Sequence, residues 1–208
     1  MSRLDDLISD LCPDGVEYRK LGDIIHYSRE RIAAKNLNAS TYVSVENLLP
    51  NKKGKKKAVH IPYEGSAVSF SIGDVLIGNI RPYLRKIWLA SHKGGTNGDV
   101  LVIQINNREE IIPHYLYYLL SSDSFFVYMN QYSKGSKMPR GDKNAVMNYK
   151  VPVPSLDVQK RIVSILDRFN ALCNDLTAGL PAEIEARRKQ YEDYRDRLLT
   201  FKQKEVTT

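Results

Sequence analysis

Five lysines fill six positions in Lys52-Lys53-Gly54-Lys55-Lys56-Lys57. Charges this dense repel one another, so the segment is expected as a mobile loop tip that gains energy when phosphates replace its counterions. A solubilising hairpin tip accounts for the run equally well. A second set, Arg81, Tyr83, Arg85 and Lys86, follows the strand-like run Val75 to Ile80. A strand-exit loop is a rigid place from which arginine can reach guanine edges in a major groove and tyrosine can contact sugar or base. Ordinary surface cations around a half-buried tyrosine are the competing account. The third set lies in Ser133 to Gly141, with Lys134, Ser136, Lys137 and Arg140, and continues to Lys143 and Asn144. Its glycines permit close approach of backbone to phosphate, and its hydroxyls and amides suit positioning contacts. Arg29, Arg31 and Lys35 are weaker members of the same class.

Residue types that make and break bonds are not found at the spacings such work needs. No lysine has Asp or Glu two positions before it, so the acidic-x-Lys pair of many metal-dependent nucleases is missing. There is no Asn/Asp-Pro-Pro-aromatic loop to hold a flipped base, and Gly94-Gly95-Thr96-Asn97-Gly98 reads as a turn without G-x-G-x-x-G spacing. Gly135 to Gly141 has the wrong glycine spacing for a P-loop and is followed by Asp142. His26, His60, His92 and His114 occur singly, and no serine sits in a G-x-S-x-G elbow. No catalytic residue, metal or cofactor is therefore assigned to the chain. Cys12 and Cys173 stand far apart and read as small hydrophobic fillers.

Composition agrees with a basic binding surface on a globular chain. The 208 residues carry a formal net charge of +7, with 42% hydrophobic and 26% charged residues. That is ordinary for a packed protein and excludes global disorder. Residues 1–150 hold 21 basic and 15 acidic side chains, whereas 151–208 hold 10 and 9. The basic excess thus sits in the first part, as expected for a polyanion partner there. No apolar run is long enough to cross a bilayer, and Asp5, Asp6, Asp10 and Asp14 occupy the stretch where a signal peptide would be basic. A cytoplasmic location without membrane contact follows as the expectation.

The elements that must position these loops can be read from periodicity. Leu4, Leu7, Ile8 and Leu11 predict a short opening helix ended by Pro13-Asp14-Gly15. Strand-like runs are Tyr42 to Leu49, Ala67 to Phe70, Val75 to Ile80, Ile87 to Ala90 and Val100 to Ile105. Pro113 starts a helix with Tyr115, Leu116, Leu119 and Leu120 on one face, and Asp123 is expected to cap a second helix carrying Phe125, Phe126 and Met129. Lys150 to Pro154 reads as a stiff extended connector. After Ser155 a long stripe begins with Ile162, Ile165, Leu166, Phe169, Leu172, Cys173 and Leu176. Beyond Gly179-Leu180-Pro181 it resumes with Ile184, Tyr191, Tyr194, Leu198 and Phe201. One isolated helix cannot satisfy that stripe. A second copy is the favoured partner, and a fold-back at Gly179 is the alternative.

Four segments in this order resemble a type I restriction-modification specificity subunit over nearly the whole chain. They are Leu11-Cys12-Pro13-Asp14-Gly15-Val16-Glu17-Tyr18 with Leu21-Gly22-Asp23-Ile24, then Ile72-Gly73-Asp74-Val75-Leu76-Ile77. The junction Val151-Pro152-Val153-Pro154-Ser155-Leu156 with Gln159, Ile162 and Val163 follows, and last come Gly179 to Ile184 and Gln190 to Arg195. The resemblance implies an α+β chain: a small mixed β-rich target recognition domain over residues 1–154, then a long α-helical coiled-coil arm over 155–208. It implies a non-catalytic subunit that reads double-stranded DNA and docks methyltransferase and restriction subunits. S-adenosylmethionine, ATP and magnesium would then be bound only by those partners. A full-length specificity subunit resembles two recognition domains and two helical regions, whereas 208 residues hold one of each. The expectation is therefore a homodimer through antiparallel helices that rebuilds a two-domain reader of inverted half-sites. A continuous helix from Ser155 to Phe201 would reach about 70 Å. A stand-alone DNA nuclease or modification enzyme, or a coiled-coil assembly protein, are the rival readings.

Overall fold

The structure, a computed structural model, describes residues 8–175 and 181–204, with the side chains at 172–175 and 181–184 outside that description. In chain order the strands are β1 (Tyr18–Lys20), β2 (Ile25–Tyr27), β3 (Arg31–Ala33), β4 (Ser66–Phe70), β5 (Val75–Gly78), β6 (Ile87–Leu89), β7 (Gly94–Thr96), β8 (Val100–Ile105) and β9 (Lys150–Pro152). The helices are α1 (Leu21–Ile24), α2 (Pro113–Leu120), α3 (Asp123–Gln131), α4 (Lys143–Asn148), α5 (Leu156–Asp175) and α6 (Pro181–Leu198). Residues 8–11 are also helical, and Ile8 and Cys12 pack against the core. Leu4 and Leu7 of the expected opening helix lie outside the described residues.

β5 is buried along its whole length, which explains its uninterrupted apolar run. Val75 and Ile77 of β5, with Leu101 and Ile103 of β8, point into one core shared with the helices. Leu76, with Val100 and Val102, points the other way, into a smaller core with Val43, Leu48 and Phe70. Side chains alternate across a strand, so one sheet serves both cores. That sheet is antiparallel in the order β2-β8-β5-β6. A three-stranded sheet, β3-β4-β7, covers its second face, and β1 pairs with β9 to close the ends of the domain.

Three sequence expectations change here. Tyr42 to Leu49 is not a strand: Ser44 to Asn47 turns, and the Asn47 side-chain oxygen accepts from the Ser44 N–H at 2.9 Å and from its hydroxyl at 2.7 Å. This local side-chain bond competes with ladder pairing. Gly94-Gly95-Thr96 is strand β7 rather than a turn, and a Cβ on Gly94 would lie 2.0 Å from the Thr41 carbonyl oxygen. Glycine is required because the 41–43 segment crosses directly over it. Asp123 is also not the cap of α3; that role belongs to Ser122, whose hydroxyl accepts from the Phe125 N–H at 3.2 Å.

The largest correction concerns the arm. Residues 155–201 do not form one helix of about 70 Å. Instead α5, 20 residues, leaves the domain, and α6, 18 residues, packs on it and brings the chain back. Ile162, Leu166 and Leu198 are fully buried in the same core as the four-stranded sheet and α2, and Ile165 and Tyr191 pack against it. Phe169 stacks on Tyr194 with ring centroids 5.6 Å apart. Among the described residues, the stripe members Ile162, Leu166 and Leu198 are buried within the chain, and Ile165, Phe169, Tyr191 and Tyr194 partly so, as the fold-back alternative expects. Leu176 lies outside the described residues, as do the side chains of Leu172 and Ile184. Core residues occur on both sides of the expected boundary at residue 154.

Two details fix this return. Gln159, fully buried, donates to the Glu110 and Pro154 carbonyls at 2.7 and 2.8 Å and accepts from the Ile112 N–H at 3.0 Å. The end of the chain then pairs with its beginning: the Val16 N–H donates to Lys202 O at 2.8 Å, and the Tyr18 hydroxyl donates to Phe201 O at 3.0 Å.

Candidate nucleic-acid interface

The three basic segments, remote in sequence, meet around the 3-10 turn Pro82–Leu84. On one side the Asn51 and Lys52 N–H groups donate to the Leu84 and Arg85 carbonyls, both at 2.9 Å. On the other, Ile80 bridges to Arg140, and the Arg81 N–H donates to Pro139 O at 2.7 Å. The Lys86 ammonium reaches across to Val45 O at 2.6 Å. Burial pushes its pKa down, repulsion from Lys56 and Arg81 adds to that, and Glu46 opposes it. All three sets therefore share one surface.

The turns are strained. Among the described residues, the non-glycine positions with positive φ are Asn51 (55°), Lys52 (61°), Arg81 (52°) and Arg85 (51°). A left-handed conformation costs roughly 1–2 kcal/mol per L-residue, so the pairing of these turns must be held by surrounding contacts. The lysine run is accordingly an ordered turn, not a mobile tip: Leu49 N–H donates to Gly54 O at 2.8 Å, and Leu48 bridges to Lys55.

The candidate cations divide into tied and free. Lys52, with its side chain 8% exposed, pairs with Asp123 at 2.8 Å and Glu192 at 3.1 Å. Arg85 pairs with the same Asp123 oxygen at 3.1 Å. Arg195, 2% exposed, bonds Asp196 at 2.6 Å and approaches Asp123 at 3.5 Å. Burial pushes the Asp123 pKa up, but the hydrogen bond and charge of Lys52, with Arg85 and Arg195, outweigh it and hold the carboxyl below its usual range. Lys55 lies 5.1 Å over the Trp88 ring and donates to Ser40 O at 3.3 Å; burial, then Lys57, lowers its pKa. Lys134 pairs with Asp142 at 2.6 Å and Arg140 with Asp99 at 3.1 Å, both with side chains more than half exposed. Lys53, Lys56, Lys57, Ser136 and Lys137 are exposed, without a side-chain partner among the described residues, and Tyr83 is 53% exposed. Arg81 is half-buried with no side-chain hydrogen bond or ion pair there either, and Lys143 is exposed over the Tyr27 ring at 5.9 Å.

A Cβ on Gly141 would lie 2.6 Å from the Met129 side-chain methyl and 2.9 Å from the Asn79 side-chain oxygen, so its inner side is closely packed. Arg29, Arg31 and Lys35 are exposed on or beside edge strand β3, away from these turn contacts in sequence and sheet order. Sequence reasoning missed Asp123, Glu192 and Asp196 as partners of the basic loops. Asp123 reads in the sequence only as a helix cap, and Glu192 and Asp196 only as charges on the stripe-bearing helix; the fold alone brings them together. No group of three or more His, Cys, Asp or Glu side chains suited to a metal occurs among the described residues, and none of the described helices is long and apolar enough to cross a membrane.

The model of the type I restriction modification DNA specificity domain matches residues 13–186. The chain belongs to this family. Within it, the specificity chain is 39% identical over 101 residues to the type I restriction enzyme EcoR124I/EcoR124II specificity subunit of Escherichia coli, covering 49% of this chain and 25% of that protein. It is 28% identical over 133 residues to the type I restriction enzyme MpnII specificity subunit of Mycoplasma pneumoniae, covering 64% of this chain and 39% of the relative. In fold it is similar to the HsdS subunit from Thermoanaerobacter tengcongensis, with a TM-score of 0.60 at 24% identity over 86% of this chain and 46% of that one. The specificity chain therefore corresponds to less than half the length of these proteins. The shared fold is mixed α/β; in this chain the sheet and the helical hairpin are joined through one core.

Proposed function

We propose that this chain is the DNA-reading, non-catalytic part of a type I restriction-modification system, and that the surface around Pro82–Leu84 lies against the duplex. Membership of the specificity family carries this reading, and the convergence of three basic loops on one face supports it. Exposed Lys53, Lys56, Lys57, Lys137 and Lys143 supply phosphate contacts, with Lys134 and Arg140 at the rim. Arg81, Tyr83 and Ser136 are the nearest groups suited to base or sugar contact. The chain itself takes no cofactor in this reading. Methyl transfer with S-adenosylmethionine belongs to a methyltransferase subunit, and ATP-driven work with magnesium to a restriction subunit, both cytoplasmic partners. Two copies together supply the two recognition domains of a bipartite target, consistent with a chain that aligns to 46% of the HsdS length.

Co-expression with a cognate methyltransferase, followed by mapping of methylated adenines, tests the reading. A bipartite motif that is lost on replacing Arg81 and Tyr83 by alanine is expected. Methylation or cutting by the purified chain alone, with magnesium and S-adenosylmethionine, would contradict it.

A further inference from the structure

The same surface carries a second assignment, which rests on the DNA-reading role. Lys52 and Arg85 sit in the two strained, interlocked turns, yet both side chains turn inward to one carboxylate oxygen of Asp123. Glu192 of α6 takes the other side of Lys52, and the Asp123 N–H donates to Asp196 at 3.1 Å. Lys52, Arg85 and Arg195 thus face Asp123, Asp196 and Glu192, and Arg188 is a fourth cation, 4.0 Å from Glu192. Arg188 adds a bond from α6 to the strained turn itself, donating to Asn51 O at 2.5 Å. Lys52, 8% exposed, cannot swing to a phosphate without giving up both carboxylates that hold it, whereas Arg85, 33% exposed, is restrained by its pair with Asp123. Lys53, Lys56 and Lys57, one to five residues away, carry no such restraint.

We propose that Asp123 is a positioning residue for sequence discrimination: it holds Lys52 and Arg85 off the phosphate backbone and locks the two turns that present the exposed cations and Tyr83. Two additional cations on phosphate would strengthen binding to every sequence alike, since phosphate contacts carry no base information. Holding them inward lowers non-specific affinity, and fixing the turns keeps Arg81 and Tyr83 in one register. The carboxylate thus raises the ratio of specific to non-specific binding.

The test uses the full chain and a labelled duplex of about 40 base pairs, with affinity followed across a potassium chloride series. Lys52→Gln combined with Arg85→Gln is expected to keep the wild-type slope of log affinity against log salt. Replacing Lys53, Lys56 and Lys57 by alanine is expected to flatten it by about 2.7, near 0.9 per phosphate. Asp123→Asn is expected to steepen the slope by about 1–2 as the two cations are released. In selection from a random duplex pool, it should enrich its best motif about tenfold less than wild type. A double variant whose slope flattens by about two shows that Lys52 and Arg85 touch phosphate and overturns the proposal. So does Asp123→Asn with unchanged slope and enrichment. Should Asp123→Asn fail to fold by circular dichroism, the double variant decides alone. Wild-type protein that binds no duplex at low salt overturns the DNA reading itself, a different result from either of these.

Discussion

At the scale of single residues, the most informative side chain is Gln159, which the sequence marks only by its place after Pro152 and Pro154. Its fully buried amide joins the start of α5 to the segment ahead of α2 by satisfying the Glu110 and Pro154 carbonyls and the Ile112 N–H. Gln159→Leu keeps the volume and strands those groups. It is expected to lower unfolding free energy by about 3 kcal/mol in urea titration, and a loss under about 0.5 kcal/mol would show the amide to be dispensable. Asp123 makes a pH prediction. Its folded pKa is depressed, so the unfolded chain binds the proton more tightly. The associated stability is fully present above the unfolded value and is lost as pH falls through the folded one. Asp123→Asn should therefore flatten the acid limb of the stability profile below about pH 4. A limb that keeps the wild-type steepness would remove Asp123 from the linkage.

At the scale of elements, the sequence signals succeed where one face decides. The helix from Pro113, the run Val75 to Ile80 and the run Val100 to Ile105 all occur near their expected places because apolar burial sets them. The signals fail at β1, β2, β3 and β7, three residues each, which are too short for a period and depend on partners far along the chain. They fail also at the arm, because an amphipathic stripe states that a face must be covered and not by what. α6 is secured by its last turn and the residues after it: Leu198, Leu199 and Phe201 are buried, and Tyr18 holds both the Phe201 N–H and carbonyl. Leu198→Ala should cost about 3 kcal/mol. Amide exchange in α6 should accelerate more than in β5 and β8, since the helix loses its anchor while the sheet core keeps its own. Equal acceleration in all three would mean that the hairpin and domain unfold as one.

At the scale of the whole molecule, the return of α6 means that the described part of the helical stripe, Ile162, Leu166 and Leu198 above all, is not unpaired surface. A two-copy assembly must then use other contacts or exchange the present ones between copies. Light scattering at micromolar concentration separates the cases: the two-copy reading expects twice the 23.7 kDa chain mass, and a monomer at all concentrations would reject it. The sequence by itself determined the family, through four ordered segments, and determined that basic charge concentrates before residue 150. Only the tertiary structure decided which cations are available. Lys52 and Lys53 are indistinguishable as residues, yet one is enclosed by Asp123 and Glu192 while the other is exposed. The physical reason is that a charge's role is set by what lies within a few ångströms of it. Here those neighbours come from 71 and 140 positions further along the chain.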